Sequence, residues 1–190
     1  MPSEKKYMEL FTEGCNLSEG LIQLDGQTLK KLGFFDKRKL KKARALFEQS
    51  VPESPSNAAP HLMLSKICHS LGYQEESLEY LLKAWSLEPA NLILVIELSG
   101  AYGVLGKPKE AISVLEEGLK YHPNEPRILF NLGISYLLEN KADLAVPIFQ
   151  KTVEIEPEFE QNEKLLKYSQ SVFFGSIPAP KNQAEIAKYI

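Results

Sequence analysis

Three histidines, two cysteines and a few paired carboxylates are the first places to look for chemistry in this 190-residue chain. His61 and His69 lie two helical turns apart, a spacing that could share a metal. Ser65 stands at the turn between them, where a further ligand would be wanted. Cys68 adjoins His69, but neighbouring residues on a helix point in different directions and make a poor nucleophile–base pair. His122 stands alone. Glu75-Glu76 and Glu116-Glu117 read as solubilising charge on exposed helix. No glycine-rich phosphate loop is present. We therefore expect no catalytic residues, no metal ligands and no cofactor, and the chain reads as something other than an enzyme. Cys15 and Cys68, far apart and without a CxxC spacing, are expected as free buried thiols in a reducing compartment.

A second candidate is electrostatic. Between residues 30 and 44 stand Lys30, Lys31, Lys37, Arg38, Lys39, Lys41, Lys42 and Arg44, opposed only by Asp36. The window carries a net charge of +7 in a chain of net −3, so the remainder is at −10. Such a stretch could hold phosphate, nucleic acid or an acidic tail. It could equally be the solvated face of one helix, since Lys37, Lys41 and Arg44 recur at helical spacing away from Leu40, Ala43 and Phe47. The solvated face is favoured, because aromatic residues are not interleaved as base stacking requires.

What positions these residues is a repeat. Pro55, Pro89, Pro123 and Pro157 are spaced by 34 residues each time. Leu64, Leu98 and Leu132 share one phase, as do Cys68, Tyr102 and Tyr136. So do Ser77, Ala111 and Ala145, and Leu81, Leu115 and Phe149. A fixed period of this length marks helix hairpins that stack and cover each other's apolar sides. Gly72, Gly106 and Asn140 fall where each hairpin turns, and such residues tolerate the left-handed backbone that ends a helix.

These columns resemble the tetratricopeptide repeat family. Residues 126–159 are most similar, with Leu132-Gly133, Tyr136, Ala145, Phe149 and Pro157. The family's early tryptophan is replaced by His61, Val95 and Leu129. The resemblance implies an all-α, right-handed superhelical array of antiparallel helix hairpins. It would comprise three good repeats, one degenerate repeat and a carboxy-terminal capping helix. The segments expected are 1–23 as an amino-terminal stretch, 24–57 as the degenerate repeat and 58–91, 92–125 and 126–159 as the repeats. A cap at 160–174 and a tail at 175–190 follow.

In that family the first helix of each hairpin lines a concave groove. Carried over, the groove positions include Leu62, Met63 and Lys66, then Ile93, Ile96, Glu97, Gly103 and Val104, then Arg127, Phe130, Asn131, Ile134, Leu137 and Leu138. This lining is mostly apolar. It is either covered by a terminal segment of the chain or open to an apolar peptide. The helix from Leu92 to Leu105 is apolar nearly all round, as a buried helix is. The family's clamp for a terminal carboxylate needs a lysine and an asparagine where Leu62 and Lys66 stand, and an asparagine where Glu97 stands, so that ligand is disfavoured. The expected function is a non-catalytic scaffold, adaptor or chaperone for proteins or peptides. Self-association stays open. A phosphate- or nucleic-acid-associated role for 30–44 is the alternative.

The flanks are less regular. Residues 4–13 suit a short helix interrupted by Gly14 and Gly20, and Gly26 and Gly33 bracket a poor first helix for the degenerate repeat. Pro147 should bend its helix or delay its start. Leu165, Leu166, Ser169, Val172 and Phe173 give the cap a buried stripe. Residues 182–190 suit either a short helix with Ile186 and Ile190 on one side or a mobile tail. No secretory leader or apolar run long enough to span a membrane is read, and a cytoplasmic setting is expected.

Overall fold

The structure is a computed structural model that describes residues 2–22 and 31–189. All regular elements among them are helical. The chain divides into two compact units, one ending at Pro89 and one beginning at Ala90.

The first unit holds α1 (Pro2–Ser18), α2 (Phe34–Ser50), a short 3-10 turn (Val51–Glu53), α3 (Ala59–Leu71) and α4 (Gln74–Leu87). Successive helices pack on one another: α1 on α2, α2 on α3, α3 on α4. Its core gathers Leu40, Ala43, Phe47, Leu64 and Ile67, with Phe11 and Met63 against them. The short helix expected over 4–13 is in fact α1, 17 residues long, and it runs straight through Gly14. Gly14 is a close-approach residue there. A Cβ on it would stand 2.8 Å from the Phe47 ring. The first helix expected between Gly26 and Gly33 falls mostly on residues 23–30, outside the described residues, and 31–33 are not helical. The helix that precedes α2 and packs on it is α1. Tyr7 ties α1 to the loop before α3, its hydroxyl accepting from Asn57 Nδ2 at 2.9 Å, while Asn57 Oδ1 caps the Ala59 amide.

The second unit holds α5 (Leu92–Val104), α6 (Pro108–Tyr121), α7 (Pro126–Leu138), α8 (Ala142–Ile155), α9 (Glu160–Phe173) and α10 (Gln183–Ile186). Helices α5 to α9 pack in sequence order, and α5 also meets α7. The turns within hairpins fall at Gly72, Gly106 and Asn140, with φ of 87°, 66° and 56°. Close approach inside each hairpin is set by small residues. Gly133 lies on α7 where the Phe149 ring of α8 presses, and a Cβ there would be 2.6 Å from Cζ. In the hairpin α3–α4 the Gly133 column holds Ser65 and the Ala145 column holds Ser77, and their Oγ atoms are 2.8 Å apart, so each buried hydroxyl finds a partner.

Helix α8 starts at Ala142 and continues through Pro147, so of the bend or late start expected there the late start is not found. Pro147 and Asp143 are both exposed, so the helical hydrogen bond that the proline cannot make is lost on the solvent side of α8. Phe173, expected in the cap's buried stripe, is exposed, and Tyr168 is buried in that helix instead.

Candidate functional site

Most of the residues that could do conventional chemistry are held by local partners, while the buried His61 Nδ1 has no hydrogen-bond partner among the described residues. His69 Nδ1 is 2.9 Å from the Gln74 side-chain oxygen, and His122 Nε2 donates to the Ala90 carbonyl at 2.7 Å. Burial, with Lys83 nearby, holds His61 below the usual histidine range. Cys68 is fully buried, and burial followed by the neighbouring Glu76 pushes its thiol up to about 12. Cys15 is raised by burial as well. Thiols so held carry little thiolate at neutral pH and are poor nucleophiles. Among the described residues, no group of three or more His, Cys, Asp or Glu could hold a metal ion.

The paired carboxylates are more than solubilising charge. Glu76 takes two hydrogen bonds from the Arg44 guanidinium, from Nη1 at 3.0 Å and from Nη2, and so ties α4 to α2. Arg44 Nε also bonds Glu48 at 2.8 Å. Arg44, expected on the open basic face with Lys37 and Lys41, is therefore turned to this network. Glu116 accepts from the Tyr136 hydroxyl at 2.6 Å, joining α6 to α7. Burial and then Glu116 push the Tyr136 phenol up to about 12.

The Glu76 link gives a pH signature. The Arg44 hydrogen bonds hold the Glu76 carboxyl below its ordinary 4.5. A depressed carboxylate contributes its full stabilisation above the unfolded value and loses it as pH falls through the folded one. Glu76→Gln is expected to cost about 1 kcal/mol at pH 7, a modest figure because the pair is partly exposed. The gap from the parent should narrow below pH 4.5. Urea midpoints at pH 7 and pH 3 check this, and an unchanged gap would refute it.

The groove positions fall in both units. In the first, Leu62, Met63 and Lys66 lie on α3, all partly buried, and Met63 is spent on the core around Phe47. In the second, α5 shows Ile93 at 47% and Val104 at 56% exposure, so this apolar helix is not buried all round. Ile96 and Glu97 are half-buried on the same helix. On α7, Arg127 is exposed and Phe130, Asn131, Ile134 and Leu138 are half-buried. Leu137, expected to line the groove, is fully buried with the tail in place.

The covering of this face is the feature the sequence left open. The segment after α9 returns across the second unit. Helix α10 packs on α7, Gln183 sits against Gly103 of α5, and Ile186 is only 2% exposed. Tyr189 stacks on Tyr168 of α9, with ring centroids 4.2 Å apart. The Asn182 side chain caps α10, accepting from the Glu185 amide at 3.0 Å. The returning segment thus crosses the first helices of two hairpins and the helix that follows them.

Helix hairpins of this design at a 34-residue period are matched by two family models, both described as tetratricopeptide repeat, over residues 58–91 and 99–158. The chain is a tetratricopeptide-repeat protein. Its fold is that family's α-solenoid, as solved structures show. One similar structure is MamA from Desulfovibrio magneticus RS-1, 16% identical, with a TM-score of 0.69 over 92% of this chain and 87% of that one. A tetratricopeptide repeat protein from Parabacteroides merdae is 19% identical, with a TM-score of 0.70 over 88% of this chain and 61% of the other. YrrB, described as having an unusual peptide-binding site, is 18% identical, with a TM-score of 0.64 over 75% of this chain and 73% of that one. At these identities the likeness concerns fold. No curated protein sequence matches this tetratricopeptide-repeat protein. No helix among its described residues is long and apolar enough to cross a membrane.

Proposed function

We propose that this tetratricopeptide-repeat protein is a non-catalytic scaffold, an adaptor or chaperone, that takes an apolar peptide segment on the α5–α7 face. The observation that carries the reading is the row of partly exposed apolar side chains Ile93, Ile96, Phe130, Ile134 and Leu138, on helices that already hold the chain's own tail. Tail and ligand are alternatives for one surface. The tail is the first surrogate for the ligand, a short helix that brings one branched apolar residue, Ile186, into a buried position. YrrB's description as a peptide-binding protein of this family fits the same reading. The two free thiols favour a reducing, cytoplasmic compartment.

The test uses a labelled peptide of residues 176–190 added to a chain ending at Gly175. Ile96→Glu and Phe130→Glu each place a charge on the proposed surface, and each should weaken binding about tenfold or more while the helical circular dichroism persists. Binding left intact by both substitutions would reject the site.

A further inference from the structure

The basic stretch has a property that its composition alone does not convey. Helix α2 buries one side, through Leu40, Ala43, Phe47 and Ser50. Phe34, Arg38, Lys41 and Ala45 follow one another at helical spacing on the opposite side, and all four are exposed. Phe34 is 77% exposed and the adjoining Phe35 74%. Their rings meet edge to face, centroids 5.6 Å apart, and neither belongs to the core around Phe47. Lys37, Arg38, Lys39, Lys41 and Lys42 are exposed too, and among the described residues none sits in an ion pair. Asp36, the one acid in this turn, is occupied as acceptor of the Gly33 amide at 3.1 Å.

We propose that the outward face of α2 docks on an anionic lipid surface. The Phe34 and Phe35 rings enter the headgroup boundary, and the five basic side chains lie along the phosphates. Two large rings held in water beside a row of cations are poorly placed for a soluble surface and well placed for an interface of this chemistry. Each cation near a negative leaflet adds attraction, and the apolar pair adds depth, so the two signals together give reversible attachment. The complementarity is local, because this helix is strongly positive in a chain of net −3. A single-stranded nucleic acid fits less well. Base stacking wants aromatic plates spaced along a cationic track, whereas here both rings stand at one end and cover each other's edges.

The experiment sediments the full chain with vesicles of phosphatidylcholine alone or mixed with phosphatidylserine. Partitioning onto the anionic vesicles should exceed that onto neutral ones by about tenfold or more and should fall steeply with added salt. Phe34→Ser with Phe35→Ser should lower it about tenfold, and Arg38→Glu with Lys41→Glu should abolish the preference for phosphatidylserine. These side chains are exposed, so the variants are expected to keep the parent's circular dichroism. No partitioning, or partitioning indifferent to the phenylalanines, would overturn the proposal. So would tighter binding to a single-stranded oligonucleotide than to the vesicles. Binding of the tail peptide to the α5–α7 face is read separately and does not depend on this outcome.

Discussion

Phe149→Ala is expected to cost the second unit about 3–5 kcal/mol. The ring is fully buried, with its edge on Gly133 where a Cβ would come within 2.6 Å. Truncation removes the ring's dispersion contacts and leaves a cavity that two helices already in contact cannot close. Against a typical total of about 5–15 kcal/mol, that is a large share. The complementary change is Gly133→Ala. Alanine favours a helix by about 1 kcal/mol over glycine. Here the new methyl would meet a buried ring with no room to turn away, and we expect a net loss of about 1–3 kcal/mol. The double variant Gly133→Ala/Phe149→Ala should lose less than the sum of the two, because the methyl then partly fills the space the ring left. Urea denaturation monitored by circular dichroism supplies all three numbers. A loss below about 1 kcal/mol for Phe149→Ala would mean that the hairpin is not held by this wedge.

Removing residues 176–190 should open the α5–α7 face and raise its affinity for an added apolar peptide about tenfold or more. The tail is tethered to the surface it covers, and a short tether supplies a local concentration that an outside peptide must exceed. Ile186 provides the apolar anchor and the Tyr189–Tyr168 stack holds the far end. Ile186→Asp in the full-length chain should reproduce much of the truncation, since a carboxylate at a buried site is costly. Fluorescence anisotropy with the labelled peptide of residues 176–190 reads both variants. Equal affinity for the full-length and the shortened chain would mean that the tail and the peptide do not share a site. The folded core should survive the cut, because the tail's close-packed and stacked contacts fall on Gly103 of α5 and the Tyr168 ring of α9, helices that pack on their neighbours without it.

Much of the architecture was legible because the determinants are local. The Gly72, Gly106 and Asn140 turns could be named from residue type, and each has the positive φ that the type suggests. The columns of Leu64, Leu98 and Leu132 are buried. Legibility ended where partners come from far along the chain. Gly14 looks like a breaker in isolation. Only the Phe47 ring, brought up by α2, explains why a long helix keeps a glycine there. Glu76 looks like surface charge until Arg44 arrives from α2. Leu137 stands at a position that the family resemblance assigns to the groove, yet it is fully buried with the tail in place. The sequence reading assigned Phe34 and Phe35 no role, and their exposure followed only from the side that α2 turns inward.

The amino-acid sequence by itself determined the hairpin register, since a 34-residue recurrence of small and bulky side chains reports contacts between helices adjacent in the chain. The tertiary structure decided which helix faces stay exposed. That depends on segments such as Gln183–Ile186 on α7 and α1 on Phe47, which dock once, outside the repeat. A contact made once leaves no period to read, and its strength rests on shape and burial that exist only after the chain has folded.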